Sequence, residues 1–431
     1  MHRILAAASL VGALTLSAPV QASETGDRIA ASLYAGTLTD GRAALAPLAR
    51  DGDAEARFGL GLIELVEAAE AFAQALYRYG LASPETGAMG PVIAVPVPVN
   101  PNPDPLDYDK VRDVLEALVT KLDEATADFL AAGESGDYVV LIDPVRIRID
   151  ANGDGVAEAG ETIGQLFLRG LGMPDAASTR PSTPPPRNGR SQAPDASGVE
   201  AAPDMSVGLD RADAIWLAGY SQVLAAQADF LLAHDFSTFV DATFHRLFPR
   251  AGLPMQDYAA GGSLVLDPDT DTAIADFIAA IHTLNWPVAE PDRLKRVLQR
   301  ARSVIDYSRR NWDAILAETD DNRELVPNPS QTAIVPDAEV TEEIVAAWRE
   351  TLDVAEQILE GELLVPHWRF QRGFNLRTYF ESATRTDLVM LLTGYGALPY
   401  IEDGPVADAD SFAAANRVFG NDILGYVFWF N

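Results

Sequence analysis

Residues 54–79 read AEARFGLGLIELVEAAEAFAQALYRY, and this stretch decides the fold class. Its apolar side chains, from Phe58 to Leu76, recur at intervals of three and four residues. Because an α-helix turns once every 3.6 residues or so, these side chains fall on one face of a helix. Small residues such as Ala68 and Ala69 leave room for a neighbouring helix. We therefore expect a long helix that packs against other helices.

The same helical period recurs along most of the chain. Breaks rich in proline and asparagine separate the periodic segments, and after one of them, 91–105, Asp104 or Asp107 is expected to cap the next helix. The aromatic end, 426–431, is expected to form a strand or an extended clasp. The fold class is therefore mainly α, either a multi-helix bundle or a solenoid-like arrangement. Further helices are expected over 29–34, 42–50, 106–130, 163–168, 212–232, 273–284, 291–317, 342–359 and 383–392.

One segment departs from the helical period. Val145, Ile147 and Ile149 alternate with Arg146 and Arg148. Alternation with a period of two is typical of a strand that buries one face. We expect a short strand here.

Composition divides the chain into four parts. Residues 1–22 form a predicted signal peptide, and 23–172 form an N-terminal helical region. Residues 173–206 are rich in proline and serine and carry few bulky apolar side chains, which favours a linker or a long exposed loop. Residues 207–431 form a C-terminal helical domain. The alternative is a single domain with a long excursion between two of its helices.

The first 22 residues have the layout of a secretory signal. A basic start is followed by an apolar run and by small residues, so cleavage is expected near Ala22. A membrane-anchoring helix is the alternative, but the run is shorter than the ~20 residues that span a bilayer. We expect a periplasmic or secreted protein without a transmembrane segment in the mature chain.

The charge and the absence of cysteine narrow the function classes. The chain carries 63 acidic and 32 basic residues, a formal net charge of −31, and no cysteine. Such a charge repels nucleic acid and anionic lipid and concentrates cations near the surface. Thiol catalysis, disulfides and cysteine-ligated zinc are excluded.

Residues 150–161, DANGDGVAEAGE, bring oxygen ligands together at regular spacing. Asp150, Asn152 and Asp154 alternate along the chain, Gly155 stands sixth, and Glu161 stands twelfth. A hard divalent cation takes six to eight oxygen ligands, and alternate side chains on a sharp bend can supply them. The expected ligands are the side chains of Asp150, Asn152 and Asp154, the carbonyl oxygen of Val156, Glu158 directly or through water, and Glu161.

This pattern resembles the calcium loops of the EF-hand family in residue type and spacing. The resemblance covers one loop only, because a strand is expected before it in place of a helix and Ala157 fills the eighth position. It implies a solitary strand-loop-helix site whose Ca²⁺ ion stabilises the local structure. The alternative is a turn rich in Asp, Asn and Gly that leads into a helix and binds no ion.

Two other groups of residues are candidates for a site. His234, Asp241 and His245 would share a face of one continuous helix and could hold a transition metal, although histidines with a purely structural role are favoured. In the C-terminal half, the arginine and aromatic side chains of a second group could form a ligand pocket or could be surface salt bridges and stacking. That second group is His367, Trp368, Arg369, Arg377 and Tyr395.

These observations favour an exported calcium-binding helical protein that acts as a binding or scaffold protein of the cell envelope, with an envelope protein as partner. The alternative is a periplasmic enzyme or a binder of a small ligand. Its site would lie in the C-terminal domain, and calcium would have a structural role only.

Overall fold

A computed structural model of the chain describes residues 23–82, 97–164, 205–256, 265–334, 340–420 and 423–430, and helices dominate these ranges. The predicted mainly α, multi-helix architecture is confirmed. The α-helices are α1 Glu24–Ala35, α2 Leu38–Arg50, α3 Ala54–Arg78, α4 Tyr108–Gly133, α5 Arg211–Leu232, α6 Ser237–Thr243, α7 Pro268–Thr283, α8 Pro291–Ala317, α9 Glu342–Leu359, α10 Leu376–Ser382, α11 Leu388–Thr393, α12 Ala413–Val418 and α13 Ile423–Phe430.

Six short strands form three antiparallel pairs in the described part of the chain. They are β1 Val140–Ile142, β2 Val207–Leu209, β3 Asn285–Pro287, β4 Gly373–Phe374, β5 Arg385–Asp387 and β6 Ile401–Glu402. Strand β1 pairs with β2, β3 with β5, and β4 with β6. Each pair joins segments that are distant in the sequence and so fixes the course of the chain between helices.

Carboxylate and hydroxyl side chains cap the starts of α1, α3 and α4. Ser23 accepts a hydrogen bond from the backbone N–H of Gly26 at the start of α1, and Asp53 accepts one from Ala56 at the start of α3. Of the two residues predicted to cap α4, Asp107 does so, through the N–H of Lys110. These bonds satisfy N–H groups that have no partner inside the helix.

Four long helices pack in series and form the centre of the fold. Helix α4 lies between α3 and α5, and α5 lies between α4 and α8. The approach of α3 to α4 is close at Gly61, where a Cβ atom would stand 2.7 Å from the ring of Phe129. A side chain at this position would force the two helices apart.

The helices on the two sides of the predicted linker share a core. The largest apolar cluster extends from Ile29 in α1 to Trp286 in β3 and includes buried residues of α3, α4 and α5. Strand β1, before the predicted linker, pairs with β2, after it, so that Ile142 faces Val207. Most of the linker, and the helix expected over 163–168 from residue 165 onwards, lie outside the described residues, as does the predicted signal peptide.

The strand expected over 145–149 is wrong in its first part, 145–146, whereas 147–149 are extended and pair with 161–163. Pro144–Arg146 forms a turn of 3-10 helix, whose start is capped by the carboxylate of Asp143 accepting from the N–H of Val145. Proline fixes the backbone and has no N–H to give to a strand partner, so the local turn prevails. The predicted alternation of burial remains, because Ile147 and Ile149 are buried and Arg146 is exposed.

Two expectations for the C-terminal part are corrected. The aromatic end forms helix α13 instead of a strand, and Phe430 packs there against Trp312 and Trp348. A helix satisfies its own backbone hydrogen bonds, so it needs no strand partner at the end of the chain. The helix expected over 383–392 is divided, since β5 occupies its first part and pairs with β3 before α11 begins.

Candidate functional site

The acidic loop 150–161 is closed at its base by an antiparallel pair of extended segments. The N–H of Ile149 donates to the carbonyl of Glu161 at 3.0 Å, and the N–H of Ile163 donates to the carbonyl of Ile147 at 3.3 Å. Arg148 faces Thr162 between these two bonds. The loop therefore leaves the core and returns to it at nearly the same point.

Backbone N–H groups of the loop converge on the side chain of Asp150. One carboxylate oxygen accepts from Gly153 at 2.7 Å and from Asp154 at 3.1 Å, and the other accepts from Gly155 at 2.8 Å. The side chain of Asn152 accepts from the N–H of Asp154 at 2.7 Å. The chain thus curls around Asp150, and the amide of Asn152 donates to the carboxylate of Asp154 at 3.2 Å.

Two glycines permit this curl. Gly153 has φ +75° and Gly155 has φ +89°, in the left-handed region that is unfavourable for residues with a side chain. The sixth position of the loop therefore has the backbone conformation for which the sequence predicted a glycine.

The second half of the loop is folded back towards the first. A carboxylate oxygen of Glu161 accepts from the N–H of Glu158 at 3.0 Å, and Val156 is 59% exposed, so its side chain takes no part in the core. The oxygens of Asp150, Asp154 and Glu161 do not all lie within 4.8 Å of one another. Binding of one cation by all three would require their carboxylates to move closer together.

Helix α3 holds the start of the loop through two polar residues one turn apart. A carboxylate oxygen of Glu70 accepts from the N–H of Asp150 at 2.7 Å, and the amide of Gln74 donates to the carbonyl of Asp150 at 2.8 Å. Burial raises the pKa of Glu70, and the negative charges of Asp150 and Glu161 raise it further. Sequence reasoning missed this support, although a Glu and a Gln four residues apart in an apolar helix were the available signal.

A second group of carboxylates lies at the junction of β2, α5 and α8. Carboxylate oxygens of Asp210, Glu318 and Glu324 all lie within 4.8 Å of one another, and in the described ranges this is the one group of three acidic or histidine side chains that does so. We call it the 210/318/324 cluster. Asp210 caps α5 together with the buried Asp213, and Glu318 follows the end of α8. Sequence reasoning missed the cluster because more than a hundred residues separate Asp210 from Glu318 and Glu324.

The 210/318/324 cluster holds protons at unusually high pH. Burial, together with the negative charge of Asp210, raises the pKa of Glu318 to about 8 and that of Glu324 to about 7. Burial and the charge of Asp210 also raise the pKa of Asp213 well above its ordinary value. The charge of Arg211 lowers the pKa of Asp210, but the causes that act on Glu318 and Glu324 include no cation, so protonation relieves the repulsion at these two carboxylates.

This arrangement predicts that stability falls as the pH rises from about 5 to 8 in calcium-free buffer. In that window the folded chain binds more protons than the unfolded one, since the folded pKa values of Glu318 and Glu324 lie above the ordinary 4.5. Each such proton lowers the free energy of unfolding by about 1.4 kcal/mol per pH unit. Urea denaturation should show Glu318→Gln gaining stability over the parent at pH 8 and not at pH 5.

The matched control for this prediction is Glu343→Gln, which alters an exposed glutamate at the start of α9. Its pH profile should follow that of the parent. Equal stability differences between Glu318→Gln and the parent at pH 5 and pH 8 would contradict the prediction.

The histidines have structural partners. His234 is fully buried, with one ring nitrogen 2.6 Å from the carbonyl of Phe230 and the other 2.6 Å from the hydroxyl of Thr386. His245 lies 3.1 Å from Asp276. Helix α6 begins after His234 and ends before His245, so the continuous helix that would align them with Asp241 does not exist. The favoured interpretation, structural histidines, agrees with these contacts.

The second candidate group, from the C-terminal half, does not converge on one site, because its members make separate contacts. His367 bonds the carbonyl of Leu391 at 3.0 Å, and the guanidinium of Arg369 stacks 4.5 Å from the ring centre of Trp368. Arg377 pairs with Glu381 at 2.8 Å and also faces Glu360. The rings of Trp368 and Tyr395 are largely exposed. These side chains form salt bridges and stacking at the surface, and the alternative of a C-terminal enzyme or ligand site gains no support from them.

No protein-family model, curated protein or solved structure matches the chain. None of the helices in the described ranges combines the length and the apolarity that crossing a bilayer requires. The site geometry is therefore the basis for a functional proposal.

Proposed function

We propose that the chain is an exported helical protein that binds Ca²⁺ through the loop 150–161 and uses the ion to fasten this loop to the helical core. The observation that carries the proposal is the set of N–H groups converging on Asp150, including that of Gly155 at 2.8 Å. These bonds occupy some lone pairs of the carboxylate and direct the chain around it. The export signal expected at residues 1–22 would bring the chain to a compartment in contact with external calcium.

The donor set suits a hard cation. All six expected ligands offer oxygen, and calcium takes six to eight oxygen ligands in flexible geometry. Asp150, Asn152 and Asp154 would bind through side chains and Val156 through its carbonyl. The remaining ligands would be Glu158, directly or through water, and Glu161 with both carboxylate oxygens.

The ion would stabilise the attachment of the loop to α3. Without it, the carboxylates of the loop repel one another and that of Glu70, whose pKa is raised in part by this repulsion. A bound cation would neutralise them while Glu70 and Gln74 hold the backbone of Asp150. A loop of this kind has a dissociation constant of ~10⁻⁴ to 10⁻³ M in extracellular modules. Stability would then rise by ~0.4 kcal/mol at a calcium concentration equal to that constant and by ~2.7 kcal/mol at a hundredfold excess.

The test is titration calorimetry of calcium into the mature chain and into Asp150→Ala and Glu161→Gln variants. We expect one site in the parent, at least about tenfold weaker binding in each loop variant, and a rise in Tm with calcium that the variants lack. Magnesium should bind more weakly because it demands tighter octahedral geometry.

The matched control is Glu318→Gln, which removes a carboxylate from the 210/318/324 cluster and leaves the loop intact. It should bind calcium as the parent does. If Glu318→Gln loses calcium binding and Asp150→Ala retains it, the calcium site is the 210/318/324 cluster. If the parent chain does not bind calcium, the proposal is wrong.

A further inference from the structure

An apolar cavity of about 240 Å³ lies between α3, α4, α5 and the segment that follows α6. Aliphatic and aromatic side chains line it, and among its lining residues the hydroxyl of Tyr79 is the one polar side-chain group. An enclosed apolar cavity of about 150 Å³ accepts benzene. The present cavity has room for a larger apolar group. Its walls include Leu76, Leu115, Phe236 and Phe248.

The cavity adjoins an open groove between α3 and α4. The groove has a volume of about 630 Å³ and shares Phe72, Ala75, Tyr79 and Val114 with the cavity. Phe72, Ala75 and Val114 are half-buried, as expected for residues between the interior and the surface. An elongated molecule could therefore lie partly in the cavity and partly in the groove.

The outer part of the groove is rich in cationic side chains. Lys110, Lys121 and Arg78 line it, beside one acidic residue, Asp113. This is unusual for a chain with a net charge of −31 that contains only three lysines, two of which line the groove. The groove thus places three cationic side chains together on an otherwise acidic protein, and each of them is paired with a carboxylate, Arg78 with Asp104 at 2.7 Å.

The two lysines are held by ion pairs that a ligand could replace. Lys110 lies 2.7 Å from Asp107, and Lys121 lies 3.0 Å from Glu124 and 3.3 Å from Glu67. Both side chains are more than a third exposed. Exposed pairs contribute 1 kcal/mol or less, roughly, so redirecting the ammonium groups towards an anion costs little.

We propose that this site binds a small, single-chain anionic amphiphile. Its tail, a medium-length acyl chain, occupies the cavity, and its carboxylate lies in the groove near Lys110 and Lys121. Burial of the tail supplies the affinity, because each buried methylene contributes about 0.8 kcal/mol. The lysines select an anionic head over a neutral one.

The test is calorimetric titration of decanoate and of 1-decanol into the full mature chain in a calcium-free buffer, below the concentration at which decanoate forms micelles. The double variant Lys110→Gln and Lys121→Gln should bind decanoate about tenfold more weakly and should bind decanol almost as the parent does. Val114→Trp, which fills the passage from groove to cavity, should abolish the binding of both. Circular dichroism checks that each variant is folded.

The control is Lys295→Gln, which removes the third lysine, on α8 beside Asp292. It should bind decanoate as the parent does. Equal weakening by Lys295→Gln and by the double variant would overturn the proposal, as would unchanged binding in a folded Val114→Trp or no binding in the parent. If decanoate binds only after residues 84–95 have been replaced, this segment of the chain is itself the occupant of the site. That result would also overturn the proposal.

Discussion

Replacement of Asp229 by alanine is expected to lower the free energy of unfolding by about 3–5 kcal/mol. Asp229 is fully buried on α5, where it accepts from Arg300 at 2.7 Å and from Arg293 at 3.1 Å, both on α8. Arg300 is itself buried and also binds Asp123 of α4 and the amide oxygen of Gln222. The variant would leave cationic groups without their buried partner at the junction of three helices.

Urea denaturation at pH 7 measures this effect, with Asp292→Ala as the control. Asp292 pairs with Lys295 on the exposed side of α8, so its loss should cost less than about 0.5 kcal/mol. Replacing Asp229 and Arg300 together by methionine should restore part of the lost stability, because an apolar pair leaves fewer buried charges unpaired. A loss below about 1 kcal/mol in Asp229→Ala would show that the network does not hold the helices together.

Phe430→Ala is expected to cost a similar amount, about 3–5 kcal/mol. The ring of Phe430 is fully buried, with its centre 4.7 Å from that of Trp312 and 5.5 Å from that of Trp348, in edge-to-face contact with both. The carbonyl of Phe430 also accepts from the hydroxyl of Ser308. Removal of the ring would leave a cavity between two tryptophans and detach α13 from α8 and α9.

Two measurements check this prediction. Urea denaturation gives the loss of stability, and tryptophan fluorescence of the native variant should shift to longer wavelength as Trp312 and Trp348 meet water. Val427→Ala is the control on the same helix, since Val427 is 38% exposed and should cost less than about 1 kcal/mol. A Phe430→Ala variant as stable as this control would mean that α13 contributes nothing to the core.

The long helices could be predicted from the sequence because their information is local. In 54–79 the apolar period and the flanking residues already specify the helix, and α3 spans Ala54–Arg78. The same holds for α8 and for α9 with its cap at Thr341. Periodicity was less informative for α5, which lies between α4 and α8 and buries residues on most of its surface, although its length and apolar character still indicated a helix.

The secondary-structure predictions that were wrong failed for one of two reasons. Either a local effect opposed the sequence pattern, or the deciding contact comes from residues that are distant in the sequence. Around 145–149, alternation suggested a strand, but Asp143 and Pro144 impose a turn over Pro144–Arg146. The aromatic residues of 426–431 suit a strand in general, and the pair of tryptophans that favours a helix there comes from α8 and α9. Neither tryptophan is near these residues in the sequence.

Among the candidate sites, too, those built from neighbouring residues could be predicted and those built from distant residues could not. The residues of the acidic loop are consecutive, so spacing alone indicated them, whereas Glu70 and Gln74 reach the loop from a helix about 80 residues earlier. The 210/318/324 cluster and the apolar cavity are assembled from several elements, and no spacing rule brings such residues together. Both required the packing of α5 against its neighbours to be known.

The pairing of β1 with β2 joins Ile142 to Val207, so the intervening 64 residues start and finish at one place on the surface of the core. The entropy of closing such a connection grows only with the logarithm of its length, and a doubling costs about 0.6 kcal/mol. Lengthening the part of this connection that follows the core residues Ile147, Ile149 and Ala151 is therefore expected to lower the stability only slightly. Evolution could insert additional segments between β1 and β2 while the packing of the helical core stays unchanged.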